Sequence, residues 1–188
     1  MNFLINLDHQ IFHLINQKWS NSFFDSFFPF WTDIQKNTYF LIVFVGFLLT
    51  YFFLKSKWKG IAIFFSGVVL VSLIDMTVNY IKPLFSRVRP FETDLGFDVI
   101  LRGAAQGGFS FPSGHATDAF FIAVFFSMFY PGLRYLLISF AILTAYSRIY
   151  CGVHFPLDVL GGAAWGSIAA VFSYWWIWGL KIKLIGRR

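Results

Sequence analysis

The chain has 188 residues, of which 57% are hydrophobic, 22% aromatic and only 13% charged, against roughly 25% charged residues in soluble domains. This composition excludes an ordinary soluble protein and indicates a single-domain integral membrane protein. The net charge of +6 does not indicate nucleic-acid binding, because the basic residues stand at the ends of apolar runs and not in one polar patch.

The first part of the chain reads as a helix lying at the membrane surface. Residues 3–19 carry apolar side chains at helical spacing with polar residues between them, which predicts an amphipathic interfacial helix. His9 and His13 are four residues apart and could in principle hold a metal. No carboxylate-rich partner motif follows, so a polar helix face is the favoured interpretation and we expect no metal site.

Residues 20–37 are rich in aromatic side chains but are interrupted by Asp25, Pro29 and Asp33. We expect this stretch to lie at the headgroup level, or to dip into the membrane and return, and a sixth crossing stays open. Residues 1–37 therefore form an N-terminal interfacial segment in this interpretation, and residues 38–188 form the transmembrane core.

Five apolar spans follow, which predicts an all-α fold, a polytopic bundle of transmembrane helices. The spans are 38–54, 60–81, 115–130, 133–146 and 156–180. At about 1.5 Å per residue, the first two can cross or nearly cross a hydrocarbon core of about 30 Å. The last span has a small-residue face for close helix packing, formed by Gly161, Gly162, Ala163, Ala164 and Gly166.

The distribution of basic residues predicts the orientation. The turn at 55–59, the turn at Arg134 and the C-terminal tail hold eight basic residues and no acidic ones, so this side should be cytoplasmic, including the C-terminus. Alternation then places the polar loop 83–112 and the turn 147–158 together on the outer face. We expect a protein of the bacterial cytoplasmic (inner) membrane whose site faces the periplasm.

Three stretches bring ionisable groups into this apolar sequence, where such groups are costly and usually mark a site. They are Lys82 with Arg89-Pro90, Pro112-Ser113-Gly114-His115, and Ser147-Arg148 followed by His154 and Asp158. His154 and Asp158 are four residues apart and share one face if the segment is helical. The carboxylate can then accept from one ring nitrogen while the other nitrogen points outward, which makes an oriented nucleophile or base.

The residue types suit a phosphate ester. Lys82, Arg89 and Arg148 supply cations for phosphoryl oxygens, and the planar guanidinium matches two oxygens at once. Ser113 adds a hydroxyl, while Gly114 lets backbone N–H groups approach at the start of a helix. The spacing alone would let His115 and His154 exchange roles, and only the carboxylate beyond His154 favours it as the nucleophile.

The sequence resembles the type 2 phosphatidic acid phosphatase family of membrane lipid phosphatases, whose three motifs are K-x6-RP, PSGH and SR-x5-H-x3-D. All three motifs are present here without a departure. This family belongs to the superfamily that includes vanadium haloperoxidases. The resemblance implies that His154, oriented by Asp158, forms a phosphohistidine, while His115 protonates the leaving oxygen and later activates water. It implies phosphate binding by Lys82, Arg89, Ser113, Gly114 and Arg148. We expect no cofactor and no divalent metal.

The motifs do not choose among lipid A 1-phosphate, phosphatidylglycerophosphate, undecaprenyl pyrophosphate and phosphatidic acid as the substrate. Two alternatives also stay open, a lipid phosphotransferase and a non-catalytic phospholipid binder or transporter. The expected partners are a phosphorylated membrane lipid and the bilayer, with no nucleic acid and no protein partner implied.

Other polar residues are given no catalytic role. Arg87, Arg102 and Arg134 are expected to anchor the chain at the membrane boundary. Asp75 either joins helices by a hydrogen bond, together with Asn79, or supports Lys82. Asp118, one turn beyond His115, is left outside the catalytic set.

Overall fold

The structure is a computed structural model that describes residues 2–34 and 37–185. Helices account for most of these residues, and no β-strand occurs among them, so the predicted all-α fold is confirmed. The main helices are α1 (Asn2–His13), α2 (Ser22–Asp33), α3 (Thr38–Phe85), α4 (Gly114–Phe129), α5 (Arg134–Tyr150) and α6 (Pro156–Ile185). Within the predicted basic tail, Arg187 and Arg188 and the side chains of Lys181 and Lys183 lie outside the described part.

The N-terminal segment packs on the rest of the protein. α1 continues into a wider turn at Leu14–Lys18, and the side chain of Asn21 caps α2 by accepting from the backbone N–H of Phe24 at 3.0 Å. One hydrophobic cluster joins this segment to the region of α5 and α6. The segment contributes Phe12, Ile15 and Phe28, and the rest of the protein contributes Ile149, Tyr150, Phe155 and Val159. The boundary at residue 37 stays a prediction.

The length of α2 bears on whether residues 20–37 cross the membrane. Its 12 residues rise about 18 Å, which is short of a hydrocarbon core of about 30 Å. The length of α2 therefore favours a position at the headgroup level, and whether residues 20–37 cross the membrane stays a prediction.

α3 is a helical hairpin in which the chain reverses at Lys57, whose φ of 53° and ψ of −138° lie outside the helical range. The rings of Phe52 and Phe64 lie 6.0 Å apart, whereas a straight helix would separate the two residues by about 18 Å. The two arms correspond to the predicted spans 38–54 and 60–81. The second arm continues past the predicted end and includes Lys82 in its last turn, ending at Phe85.

α4 is the centre of the bundle and packs most extensively against α6, then against α5 and α3. The small residues of α6 allow this close packing. A Cβ atom on Gly162 would lie 2.4 Å from the carbonyl oxygen of Ser113, and one on Gly166 would lie 2.1 Å from that of Thr117. The predicted small-residue face is confirmed at Gly162 and Gly166, which bring α6 against the start of α4, whereas Ala164 is exposed and lies outside this contact.

Large apolar side chains cover the outside of the bundle. Val69, Leu136 and Phe172 are 59%, 55% and 74% exposed, which suits a surface covered by lipid. α3 and α6 are long and apolar enough to cross a membrane, while α4 is apolar but has only 16 residues. The number of crossings, five or six, stays a prediction.

The contact between α4 and α6 gives a first testable prediction. Gly166→Ala places a methyl group against a backbone carbonyl that cannot move aside alone, so we expect a loss of about 1–3 kcal/mol in stability. Gly179→Ala is the control, because no described atom lies within 4 Å of its added methyl group and alanine favours a helix by up to about 1 kcal/mol. Thermal unfolding in detergent, followed by tryptophan fluorescence, should rank the two variants in this order. Equal melting temperatures would contradict the packing described.

Candidate active site

The turn between α5 and α6 carries three ionisable residues of the third motif. Arg148 lies in the last turn of α5, which continues beyond its predicted end at 146, and Asp158 lies in the first turn of α6. His154 stands between the two helices. The side chains of all three are buried, with at most 1% of each residue exposed. Gly152 makes this turn with a φ of 81°, where a Cβ atom would lie 2.8 Å from the carbonyl oxygen of Ile100.

His154 and Asp158 are brought together, but they do not contact each other in a normal hydrogen bond. His154 Nδ1 lies 3.6 Å from Asp158 Oδ2, which is beyond hydrogen-bonding distance. Ser110 lies between them: its hydroxyl donates to Asp158 Oδ2 and is 3.3 Å from His154 Nδ1. The sequence motifs did not indicate Ser110, although it is a buried serine three residues before Ser113.

The carboxylate of Asp158 is held from two further sides. Oδ1 accepts from Arg87 Nη1 at 2.7 Å, and Oδ2 accepts from the backbone N–H of Phe155 at 2.7 Å. The other terminal nitrogen of Arg87 donates to Asp8 of α1, whose second oxygen accepts from the backbone N–H of Leu157 at 2.8 Å. A network of hydrogen bonds therefore links α1, the loop 83–112 and the start of α6.

Two of the three arginines expected to be membrane anchors have other roles. Arg87 belongs to the network around Asp158, and its guanidinium also lies 4.3 Å from the ring centre of Phe155. Arg102 donates to Asp25 Oδ1 at 2.6 Å and to the carbonyl oxygen of Tyr150 at 3.0 Å. The prediction was wrong for both, because the carboxylates they bind lie far away in the sequence. Arg134 is exposed at the start of α5.

Arg89 connects the loop 83–112 to the turn between α5 and α6. Its Nε donates to the carbonyl oxygen of Gly108, and its Nη1 donates to that of Val153, both at 2.9 Å. The same Nη1 lies 3.4 Å from His154 Nε2. A fixed positive charge therefore stands beside the ring nitrogen that faces away from Asp158.

Arg148 and Ser113 have polar atoms that are buried without a hydrogen-bond partner among the described residues. These atoms are Nε and Nη2 of Arg148 and Oγ of Ser113. Arg148 uses Nη1 to donate to Thr32 Oγ1 of α2 at 2.6 Å. A buried donor that lacks an acceptor costs about 1–3 kcal/mol. Both side chains are suited to an anionic ligand that accepts from them.

The second motif and Lys82 complete the arrangement. The backbone N–H of Ser113 donates to the carbonyl oxygen of Asp158 at 3.0 Å, which joins the start of α4 to α6. Gly114 and the partly buried His115 open α4. Lys82 is partly buried and interacts electrostatically with Asp75, Arg89 and Arg148.

The structure thus collects side chains from all three motifs into one region. Asp75 lies near both Lys82 and Gly114, since a Cβ atom on that glycine would be 3.6 Å from Asp75 Oδ1. This position favours the interpretation of Asp75 as a support for Lys82. The catalytic and phosphate-binding roles of the motif residues stay predictions.

Burial keeps His154 neutral. Removal from solvent lowers its pKa to about 4, and the positive charges of Arg148 and Arg89 act in the same direction, while Asp158 partly opposes the change. The imidazole therefore has an unprotonated nitrogen at neutral pH. A neutral ring with one free nitrogen is what a nucleophile or general base requires.

Comparison with known sequences decides the family. A family model described as the PAP2 superfamily matches residues 61–182, which include all three motifs. The chain belongs to the PAP2 superfamily. The family resemblance seen in the motifs is confirmed, and the expectation of an enzyme, a phosphatase, is confirmed at the level of the family.

Individual PAP2 relatives cover most of the chain. A lipid A 4'-phosphatase of Porphyromonas gingivalis is 30% identical over 93% of this chain and 74% of the relative. Phosphatidylglycerophosphatase B of Bacillus subtilis is 31% identical over 81% of this chain and 73% of the relative. The crystal structure of Aquifex aeolicus LpxE matches with a TM-score of 0.66 and 32% identity, over 89% of this chain and 94% of that one.

A second solved structure supports the fold. A transmembrane PAP2 type phosphatidylglycerolphosphate phosphatase from Bacillus subtilis matches with a TM-score of 0.69 over 97% of this chain and 88% of that one, at 22% identity. This likeness supports the helical fold of the chain. The PAP2 relatives, together with the long apolar helices α3 and α6, identify it as an integral membrane protein.

The network around Asp158 predicts that Arg87 supports catalysis. Arg87→Ala removes a charged partner of the buried Asp158, so we expect phosphate release from a soluble phosphate monoester to fall by about 10–100-fold in kcat. Asp8→Asn should lower kcat in the same direction because it weakens the hold on Arg87. Arg134→Ala is the control, since this arginine is exposed, and it should retain wild-type activity. If Arg87→Ala and Arg134→Ala had equal kcat values, Arg87 would have no such role.

The lowered pKa of His154 predicts a loss of stability in acid. In the unfolded chain the imidazole takes up a proton near its ordinary pKa of 6.5, whereas in the folded chain it does so only near 4. Stability is therefore lost as the pH falls from about 7 towards 4, by about 2 kcal/mol between pH 7.5 and pH 5.

His154→Gln removes this titration from the protein. Between pH 7.5 and pH 5, we expect the melting temperature of the wild type to fall by about 5 °C more than that of the variant. Tryptophan fluorescence during heating measures both. An identical pH dependence in the two proteins would show that His154 is not held neutral by burial.

Proposed function

We propose that this PAP2 protein is a membrane lipid phosphatase that removes a phosphate from a lipid through a phosphohistidine on His154. One observation carries the proposal: donors of Arg148 and Ser113 that have no partner among the described residues are buried near His154, a neutral histidine, and the carboxylate of Asp158. A phosphate would accept from those donors. The positive charges of Lys82 and Arg89 would stabilise the charge on its oxygens during transfer.

The proposed reaction has two steps. His154 Nε2 attacks phosphorus, the bond between phosphorus and the lipid oxygen breaks, and His115 gives a proton to that oxygen. His115 then takes a proton from water, which attacks phosphorus and breaks the bond to Nε2. Arg89, whose Nη1 is 3.4 Å from Nε2, stands where the phosphoryl group arrives.

This chemistry does not call for a divalent metal. The charge that Mg²⁺ usually supplies to a phosphoryl group is provided here by Lys82, Arg89 and Arg148, three fixed cations in electrostatic contact. The hydrogen bonds described for Arg89 and Arg148 go to neutral oxygen atoms, so their charges stay available to an anion.

The substrate is a phosphorylated lipid of the bacterial envelope. The names of the relatives described above support two of the expected substrates, namely a lipid A phosphate and phosphatidylglycerophosphate, while undecaprenyl pyrophosphate and phosphatidic acid stay in the panel as expected from the motifs. The relative that covers 93% of this chain is named for the 4'-phosphate of lipid A, so both the 1- and the 4'-phosphate deserve testing.

We propose a topology of five spans with the site at the outer leaflet of the bacterial cytoplasmic membrane. The basic residues at 55–59 and Arg134 support a cytoplasmic position for that end of the bundle. The two arms of α3 and helix α6 support three of the spans by their length and apolar character. The lipid would then enter the site sideways from the outer leaflet.

The decisive experiment measures phosphate release by detergent-purified protein from a panel of these lipids, with EDTA present. We expect release from at least one lipid, insensitive to EDTA, and a loss of at least about 1,000-fold in His154→Ala, since the nucleophile is removed. His13→Gln is the matched control, because this histidine contacts Phe97 outside the constellation, and it should behave as the wild type.

A second measurement tests the intermediate. Rapid quenching with a lipid labelled at the phosphate should trap label on the protein that is lost in acid and kept in alkali, as expected of phosphohistidine. Release that requires a divalent metal, or a fully active His154→Ala variant, would refute the mechanism. Absence of release from every lipid, combined with transfer of label to another lipid, would favour a phosphotransferase instead.

A further inference from the structure

We infer that Ser110 is a positioning residue for catalysis, which fixes the proton of His154 on Nδ1 and connects the imidazole to Asp158. The inference rests on the proposed function for its kinetic consequence. It arises from a separate observation, the position of one buried hydroxyl between two side chains that do not reach each other.

The hydroxyl of Ser110 has a defined orientation. Its residue is fully buried, and its backbone N–H donates to the carbonyl oxygen of Arg87 at 2.7 Å, which fixes the main chain at this point. A serine has one hydroxyl proton, and here it is donated to Asp158 Oδ2. The oxygen lone pairs that remain face His154 Nδ1 at 3.3 Å.

This orientation selects one tautomer of His154. Because the Ser110 oxygen can only accept from the ring, Nδ1 must carry the proton if the contact is to be a hydrogen bond. Nε2 then keeps its lone pair. That nitrogen lies 3.4 Å from Arg89 Nη1, where the phosphoryl group is expected to arrive.

Asp158 cannot select the tautomer unaided in this arrangement. Its Oδ2 lies 3.6 Å from Nδ1 and already accepts from the backbone N–H of Phe155, while Oδ1 accepts from Arg87. Ser110 therefore connects the carboxylate of Asp158 to Nδ1 of His154. In metal sites and active sites, an outer partner that orients a histidine typically contributes about 10–100-fold in activity or affinity.

The role of Ser110 in the reaction involves no net proton transfer through it. When Nε2 bonds to phosphorus, the ring becomes positively charged and the proton on Nδ1 stays in place. The negative charge of Asp158 stabilises this ring through the Ser110 hydroxyl. When water breaks the bond between Nε2 and phosphorus, the ring returns to its neutral form with the same tautomer.

The kinetic test is a double-mutant cycle of Ser110→Ala and Asp158→Asn. We expect Ser110→Ala to lower kcat by about 10–100-fold with KM changed less than about 3-fold, because it acts on the transition state and not on phosphate binding. In the Asp158→Asn background, Ser110→Ala should lower kcat less than about 3-fold further, since the residues act as a unit. Ser127→Ala is the control, because this buried hydroxyl bonds to the carbonyl oxygen of Ala123 within α4.

An independent test reads the tautomer without any substrate. In protein labelled with ¹⁵N-histidine, with His154 assigned by comparison with His154→Gln, nitrogen NMR should place the proton on Nδ1 in the wild type. Ser110→Ala should give a mixture of tautomers or the other tautomer. This spectrum stays informative even if no lipid proves to be a substrate, so failure of the proposed function and failure of this inference can be told apart.

Three results would overturn the role of Ser110. The first is a proton on Nε2 in the wild type, and the second is an unchanged tautomer in Ser110→Ala. The third is a pair of substitutions whose effects on kcat multiply, which would mean that Ser110 and Asp158 act separately.

Discussion

The rest of the site depends on the burial of Asp158 with its partners. Asp158 is completely buried, and a buried carboxylate without partners would lower the stability of the fold by several kcal/mol. Here it accepts from Arg87 at 2.7 Å, from Ser110 and from the backbone of Phe155. Its own backbone carbonyl accepts from Ser113, the residue of the second motif that directly precedes α4. Asp158 therefore fixes the loop 83–112, the start of α4 and the start of α6 relative to one another.

The distribution of charge around this carboxylate explains why the region suits a phosphate. Arg87 divides its two terminal nitrogens between Asp8 and Asp158, so its charge is matched by carboxylates. The hydrogen bonds described for Arg89 and Arg148 go to carbonyl and hydroxyl oxygens instead. Their charges are held in place but not neutralised by those bonds. Fixed cations of this kind stabilise a transferring phosphoryl group without first having to reorganise.

Local sequence patterns predicted the fold class, the small-residue face of α6 and the family, because apolar spans and motif spacing are visible over short stretches. They could not predict the partners of the motif residues. Ser110 is 44 residues from His154, and Thr32 is 116 residues from Arg148. Arg87 and Arg102 looked like membrane anchors because each stands near an apolar run. Only the folded chain brings Asp8 and Asp25 to them.

The N-terminal segment has a larger part in the site than its sequence suggested. It precedes the residues 61–182 that match the superfamily, yet it holds two of the site's arginines. Asp8 binds Arg87, and Thr32 binds one terminal nitrogen of Arg148, whose Nε and Nη2 have no hydrogen-bond partner in the described part of the chain. A guanidinium fixed at one end loses less freedom when an anion binds its other donors. If Arg148 binds phosphate as proposed, changes in this segment would alter that binding while all three motifs stay the same.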